Sequence, residues 1–241
     1  MDTMNTIQRF DIEALPSSSF NLFLGKRRSG KSYLCEHMLK QLIDAKKLDC
    51  AFLISNTGAG FDIIEKPCRY DTIEPLNKII ENYTMINEYN KCANEKDKIR
   101  IRTMVVIDDC AVDLKSKSFQ ILEALSTNGR HIAYEPCALH ICILCQSLTK
   151  IPRVVRLNSD LIVMNAIASM KELEMVLDEN FYVTDTSRDG KKAGRQLYTD
   201  LVTSEDFIFI VVENHKQNVT TYADYLKTYK APAPPAKATK K

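Results

Sequence analysis

Short apolar runs alternate along the chain with longer stretches that carry apolar residues at helical spacing. The runs have the length of β-strands, which we predict at Ser19–Leu24, Ala51–Ser55, Thr103–Ile107, Ala138–Cys145, Asp160–Met164 and Asp206–Glu213. The stretches between them predict helices at Lys31–Lys46, within Glu74–Lys96, at Ser116–Thr127 and at Met170–Asn180. This alternation is typical of an α/β fold with a central, mostly parallel sheet flanked by helices.

Two of the runs, Met104–Ile107 and Ile141–Leu144, are apolar at every position. Such runs favour strands that are covered on both faces, at the centre of a doubly wound sheet. Farther along, Asp189-Gly190 lies between strand-like segments at Phe181–Thr184 and Gln196–Tyr198. Because Asp-Gly is a common hairpin turn, we predict a β-hairpin there.

The predicted elements fill residues 17–228, which we expect to form one domain. A chain of 241 residues with 45% hydrophobic residues can bury one substantial core. Residues 1–16 are expected to be an N-terminal extension. Residues 229–241 are rich in proline, alanine and lysine, which predicts a disordered basic tail.

The N-terminal sequence, the lengths of the apolar runs and the cysteine usage indicate the cellular compartment and argue against a membrane span. The N-terminus lacks a basic segment followed by an apolar one, and the longest apolar runs are far shorter than the roughly 20 residues of a membrane span. The cysteines are scattered, as in a reducing cytoplasm. Together these features predict a soluble protein that is not secreted. A zinc site at Cys137, His140, Cys142 and Cys145 is disfavoured, because Cys142 and Cys145 would leave opposite faces of one strand.

The strongest chemical signal directly follows the first predicted strand and opens the first predicted helix. The segment Gly25–Ser32 matches G-x-x-x-x-G-K-[ST], the phosphate-binding P-loop. We therefore predict that the following residues bind ATP: Gly25, Lys26, Arg27, Arg28, Ser29, Gly30, Lys31, Ser32 and Tyr33. Backbone N–H groups of such a loop face the phosphates, Lys31 bridges the outer phosphates, and the Ser32 hydroxyl binds Mg²⁺.

Two other predicted strands end in polar residues that suit ATP hydrolysis. Met104–Ile107 is followed by Asp108 and Asp109. Asp108 is expected to hold Mg²⁺, and Asp109 to orient or deprotonate the attacking water. The strand that ends at Cys145 is followed by Gln146, whose amide is our candidate for holding that water or sensing the γ-phosphate. This order along the chain is found in P-loop ATPases with an extra strand between the P-loop strand and the acidic strand.

Four segments together carry a resemblance to a known family: Val105–Cys110, Ser126–His131, Cys142–Gln146 and Ile151–Asn158. Over roughly Phe20 to Met164 the chain resembles the poxvirus-type DNA-packaging ATPases of the FtsK–HerA superfamily. The resemblance implies a homo-oligomeric ring on double-stranded DNA, with ATP-driven translocation of DNA into a preformed capsid. It further implies capsid proteins as partners, action at the viral assembly site in the host cytoplasm or in association with the virion, and an arginine donated by the neighbouring subunit.

Two arginines are candidates for that trans-acting role, because a guanidinium at the γ-phosphate stabilises the charge of the transition state. We prefer Arg130, in the Gly-Arg-His segment, and keep Arg156 as the alternative. A structural ion pair remains open for either arginine. His131 is expected either to position the segment or to be an ordinary structural histidine. The chain departs from the family pattern in an enlarged segment at 132–138 and in its strongly cationic P-loop.

Contacts with DNA require local basic groups, because Lys and Arg outnumber Asp and Glu by only 33 to 31. A motor that follows the backbone of double-stranded DNA needs no base-reading residues. The candidates are Lys115, Lys117, Lys150, Arg153, Arg188, Lys191, Lys192, Arg195, Lys237, Lys240 and Lys241. A single charge of this kind is more often simply solvated, so the sequence does not choose among them.

Two other classes of function use the same P-loop. A small-molecule kinase also needs Lys31, Ser32 and Asp108, but it would add an arginine-rich lid and an acceptor pocket, neither of which the sequence clearly provides. A nucleotide-gated scaffold would bind ATP and capsid proteins without turnover, and the full set of candidate catalytic residues argues against it. A GTPase is disfavoured, because Asn77-Lys78-Ile79-Ile80 lacks the aspartate of the base-reading motif.

Overall fold

The computed structural model describes residues 7–58, 60–108, 117–167, 169–181 and 185–233, with only the backbone described at 117–119 and 130. The strands are β1 (Ser19–Leu24), β2 (Cys50–Ser55), β3 (Arg69–Tyr70), β4 (Arg102–Asp108), β5 (Ala138–Cys145), β6 (Leu161–Met164), β7 (Ile208–Glu213) and β8 (Leu226–Lys230). They form an 8-stranded sheet in the order β3-β2-β4-β5-β1-β6-β7-β8. β1 to β6 run parallel, while β7 is antiparallel to both of its neighbours.

The helices are α1 (Lys31–Asp44), α2 (Pro75–Cys92), α3 (Lys117–Asn128), α4 (Arg153–Leu157), α5 (Met170–Asn180), α6 (Arg188–Thr203) and α7 (Tyr222–Tyr225). The mostly parallel α/β architecture predicted from the sequence is confirmed. Apart from the predicted hairpin, each predicted strand and helix is present, and β1, β5 and α5 have the predicted bounds. The short elements β3, α4, α7 and β8 were not predicted.

The core has two layers, one on each face of the sheet. Alternate residues of β4 enter different layers: Val105 packs with α2 and α3, and Met104 packs with α1. Every residue of β5 is buried. The prediction that the most continuously apolar runs form central strands is therefore confirmed.

The hairpin predicted around Asp189-Gly190 is wrong, because this segment is the start of helix α6. The hydroxyl of Ser187 caps the helix by accepting a hydrogen bond from the Gly190 amide at 3.1 Å. Gly190 is not among the residues with positive φ, which an Asp-Gly hairpin turn requires. Its role is close packing instead: a Cβ on Gly190 would lie 2.5 Å from the carbonyl oxygen of Asp185.

Residues on both sides of the expected domain boundaries contact the α1 layer of the core. Near the N-terminus, Phe10 and Ile12 are buried there. The predicted tail needs a correction at its start, because β8 runs to Lys230 and Ala231 is buried. Pairing with β7 and a 2.6 Å hydrogen bond from the Tyr229 hydroxyl to Gln41 Oε1 hold this segment. Lys237, Lys240 and Lys241 lie outside the described residues.

The cysteine and histidine candidates for zinc lie within the core. Cys142 packs in the α1 layer and Cys145 in the other, so the prediction that they leave opposite faces is confirmed. Burial raises the pKa of the Cys145 thiol to about 12 and lowers the pKa of His140 to about 4. Among the helices that the structure describes, none has the length and apolarity that crossing a bilayer requires.

The close contact at Gly190 gives a test of the corrected α6. We expect Gly190→Ala to destabilise the protein by about 1–3 kcal/mol, because the new methyl group must displace the Asp185 backbone. At roughly 2–4 °C per kcal/mol for a chain of this size, thermal unfolding will detect the loss. Gly129→Ala is the matched control, because a Cβ there meets no atom within 4 Å. Equal melting temperatures for the two variants would contradict the packing of α6.

Candidate nucleotide-binding site

The loop between β1 and α1 has the conformation that a P-loop needs. Gly30 precedes α1 with φ 87°, and Arg28 has φ 63°, so the chain enters left-handed backbone twice within the loop. Gly25 allows a close approach: its amide donates to the Cys145 carbonyl at 3.3 Å, and a Cβ there would lie 2.6 Å from Ser29 Oγ. The loop is thus curled against the end of β5, and its last residues lead into the N-terminus of α1.

Lys31 is the first residue of α1 and is buried. Its ammonium group donates to the carbonyl of Gly25 at 2.7 Å and to that of Lys26 at 3.1 Å. These contacts fold the side chain back over the loop. A positive charge held at the N-terminus of a helix makes this loop suited to binding phosphate.

Ser32 and Asp108 bring the P-loop helix and strand β4 together. The Ser32 hydroxyl donates to Asp108 Oδ2 at 2.9 Å. Asp108 is the last residue of β4, at the edge of the sheet where the P-loop also lies. A hydroxyl and a carboxylate at this distance are the hard oxygen ligands that Mg²⁺ prefers, so the pair fits a magnesium ion bound beside the phosphates.

Gln146 completes the described part of the site. It follows β5 and lines a cleft of about 220 Å³ together with Lys31, Ser32 and Asp108. β5 lies between β1 and β4, with Leu24 opposite Cys145 and Asp108 opposite Leu144. The extra strand predicted between the P-loop strand and the acidic strand is therefore confirmed. Arg27 and Arg28 also line this cleft and give it a strongly positive wall.

One polar residue of the cleft was not predicted from the sequence. Thr57 lies just beyond β2, and its hydroxyl shares a 3.2 Å hydrogen bond with that of Ser55. The sequence signal that could have identified Thr57 is a polar residue directly after a predicted strand. Because Ser55 is opposite Asp108 in the parallel register, a polar residue after β2 lies at the same edge of the sheet as Asp108. The predicted catalytic Asp109 lies outside the described residues.

Arg156 pairs with groups of its own chain. Its Nε and Nη2 atoms donate to the two carboxylate oxygens of Glu179 at 2.9 and 2.6 Å, and Nη1 donates to the carbonyls of Ile151 and Leu148. The two charged side chains are only 9% and 13% exposed. This buried bidentate pair ties α4 to α5.

The Gly129–His131 segment is a short 3₁₀ helix between α3 and β5. Gly129 lines a small cavity with Ser19 and Phe20, at the beginning of β1, whereas the P-loop follows the end of β1. Six residues of strand span roughly 20 Å. The backbone around Arg130 therefore lies at the edge of the sheet opposite to the chain's own P-loop.

The basic candidates for DNA contact differ in their surroundings. Lys150 and Arg153 are exposed, and Lys150 ends a short 3₁₀ helix that begins two residues after Gln146. On α6, Lys191 pairs with Asp178 at 3.1 Å and Arg195 pairs with Glu174, which links α6 to α5. Lys192 lies 3.9 Å from Asp189, and Arg188 is exposed. Lys115 lies outside the described residues, and Lys117 is described only by its backbone.

Comparisons with known proteins find likeness in fold. No protein-family model matches the chain, and no curated protein matches it in sequence. The genome packaging NTPase B204 from Sulfolobus turreted icosahedral virus 2, in complex with sulfate, matches with a TM-score of 0.58 and 17% identity over 90% of this chain and 98% of that chain. Its complex with ATP-gammaS matches with a TM-score of 0.55 and 18% identity over the same shares of the two chains, 90% and 98%.

A second similar structure is the pCW3 conjugation coupling protein TcpA with ATPgS. It matches with a TM-score of 0.58 and 20% identity over 89% of this chain and 60% of that chain. At these identities the likeness establishes the fold. The chain has the P-loop NTPase fold of B204 and TcpA, and the resemblance drawn from the sequence is confirmed at that level.

The buried pair between Arg156 and Glu179 predicts a stability effect that a catalytic arginine would not show. We expect Arg156→Ala to destabilise the protein by about 3–5 kcal/mol, because it leaves the Glu179 carboxylate buried and uncompensated. Arg153→Ala is the control: this side chain is 74% exposed and lies 3.9 Å from the same carboxylate, so we expect a change within about 0.5 kcal/mol. Denaturant unfolding measures both variants. An Arg156→Ala protein with unchanged stability and lost ATP turnover would instead identify Arg156 as the trans-acting arginine.

Proposed function

We propose that this protein is the ATPase subunit of a viral DNA-packaging motor, which hydrolyses ATP to move double-stranded DNA into a preformed capsid. One observation carries the proposal: Lys31, Ser32, Asp108 and Gln146 converge in a single cleft, with β5 between the P-loop strand and the acidic strand. Support comes from the fold, which is that of a genome packaging NTPase.

In the proposed reaction, ATP lies along the P-loop with its γ-phosphate toward β4 and β5. Lys31 and the loop amides bind the phosphates, and Ser32 and Asp108 would hold Mg²⁺, which would neutralise phosphate charge. Asp109 orients and deprotonates the attacking water, and the Gln146 amide holds that water in line. Water as the acceptor makes the protein an ATPase rather than a kinase.

We propose that Arg130 acts on the neighbouring subunit in a homo-oligomeric ring. The backbone of its segment lies at the edge of the sheet opposite to the P-loop of the same chain, which supports action in trans. The bidentate pair of Arg156 with Glu179 supports the choice of Arg130 over Arg156. A guanidinium delivered in trans couples hydrolysis in one subunit to the position of the next, as a motor requires.

DNA contact is proposed for Lys150 and Arg153. Both are exposed, and their segment follows Gln146 directly, so a change at the γ-phosphate is transmitted to them over a few residues. The acidic partners of Lys191 and Arg195 make the α6 cations less suited to this role. Such contacts read phosphates and not sequence. The proposed setting is the viral assembly site in the host cytoplasm, with capsid proteins as further partners.

The proposal predicts an ATPase that long double-stranded DNA stimulates. We expect Lys31→Ala to lower the steady-state rate by about 10²-fold or more, since it removes a charge aimed at the transferring phosphoryl group. Lys40→Ala is the control: this lysine also lies on α1, but it is 61% exposed and paired with Asp44, so the rate should not change. The stimulation should fall steeply as salt rises, because phosphate contacts release counterions. Phosphate release with and without DNA measures these rates.

Two outcomes would contradict the proposal and promote the other classes of function. A rate that ignores DNA and appears only with a small phosphate acceptor would identify a kinase. ATP binding without turnover, with or without DNA, would identify a nucleotide-gated scaffold.

A further inference from the structure

Phe207 has two properties that neither the core nor the backbone explains. The residue is 46% exposed, although it is a large apolar side chain. It also has φ 58°, a left-handed conformation that costs a bulky side chain free energy and that Asn or Gly adopts more readily. Strained residues of this kind cluster at ligand-binding sites, which makes the ring of Phe207 a candidate ligand contact.

Phe207 lies at the same edge of the sheet as the P-loop. It precedes β7, which runs antiparallel to β6, so the start of β7 meets the end of β6. The Asn165 side-chain amide links the two by donating to the Ile208 carbonyl at 3.0 Å, and the Asn165 backbone amide donates to the Leu24 carbonyl at 3.3 Å. The ends of β1 and β6 and the start of β7 therefore form one rim.

The direction of the nucleotide follows from the order of the strands. Asp108 and Gln146 fix the γ-phosphate on the β4 and β5 side of β1. The phosphates occupy the P-loop itself, so the nucleoside must leave toward the other side of β1. β6 and β7 lie on that side, and Phe207 precedes β7. Because β7 is two strands away from β1, the distance between them is about 10 Å.

Neighbouring contacts join Phe207 to the P-loop helix. The Phe207 carbonyl accepts a 3.0 Å hydrogen bond from Ala231, and two residues later the Ala233 carbonyl accepts one from the Tyr33 hydroxyl at 3.4 Å. Phe209, on β7 two residues after Phe207, lies against the P-loop, 3.6 Å from where a Cβ on Gly30 would be. These contacts place the P-loop, α1, Phe207 and the segment at 231–233 next to one another at one corner of the fold.

We propose that this corner binds the nucleobase of the nucleoside triphosphate, with the base stacked on the ring of Phe207. The proposal deepens the proposed function and rests on it, because it uses the orientation that Asp108 and Gln146 give to ATP. Aromatic stacking accepts any base, since every base has a π face. The corner therefore selects nucleotides over inorganic polyphosphate more strongly than it selects one base over another.

The absence of tryptophan from the sequence makes a direct test possible. Phe207→Trp introduces the single tryptophan of the chain at the proposed stacking position. We expect ATP and GTP to quench its fluorescence, while inorganic tripolyphosphate, which fills only the P-loop, leaves it unchanged. Tyr89→Trp is the matched control, because Tyr89 is an aromatic residue with 51% exposure on α2, outside the P-loop and outside the Arg130 segment, and its signal should ignore all three ligands.

A second variant keeps the test independent of the reporter. Phe207→Asn removes the ring with a residue that tolerates the left-handed backbone. We expect the Kd for ATP to rise about tenfold, as loss of one base–aromatic stack implies, with the Kd for tripolyphosphate unchanged. Rescue of the ATP Kd by Phe207→Tyr would support stacking.

The experiments distinguish failure of the base site alone from failure of the proposed function. An equal fluorescence response of the Phe207→Trp variant to tripolyphosphate and ATP, or an unchanged ATP Kd in Phe207→Asn, would overturn the base site alone. Fluorescence of the Phe207→Trp variant that follows protein concentration and not nucleotide would overturn it in favour of a contact between subunits. If wild-type protein fails to bind ATP at all, the proposed function fails with it.

Discussion

The structure depends on the parallel register that brings the ends of β1, β4 and β5 to one edge of the sheet. Because β5 is buried at every residue and pairs with both neighbours, the positions after these strands are fixed relative to one another. That register alone brings the P-loop, Asp108 and Gln146 close to one another. The hydrogen bond between Ser32 and Asp108 then joins the loop side of the site to the acidic strand.

The two opposite edges of the sheet, where the parallel strands begin and where they end, carry different groups. The edge with the P-loop collects the positive charge of Arg27, Arg28 and Lys31 and carries left-handed backbone at Arg28 and Phe207. The opposite edge carries the segment around Arg130. A subunit built in this way holds the phosphates at one edge and, in the proposed ring, completes a neighbour's site from the other.

The sequence predicts this site well because its motifs are local and occur at the ends of apolar runs. Prediction from the sequence fails where contacts between residues far apart in the chain determine the local structure. Asp189-Gly190 is compatible with a hairpin and with a helix, and the contact with Asp185 together with the Ser187 cap selects the helix. The pairing of Arg156 with Glu179 joins residues 23 positions apart in the chain and cannot be predicted from the charge pattern. β8 depends on pairing with β7, and its alternating residues gave no clear signal.

The central claim is that hydrolysis requires groups from two subunits, and complementation between two inactive variants tests it most directly. Lys31→Ala removes the proposed phosphate-binding lysine, and Arg130→Ala removes the proposed trans-acting arginine. In an equal mixture, an interface that joins the intact P-loop of one variant to the intact Arg130 of the other should work, so the account predicts about a quarter of the wild-type rate for random rings. A mixture as inactive as its separate components, under conditions where the rings exchange subunits, would contradict the claim.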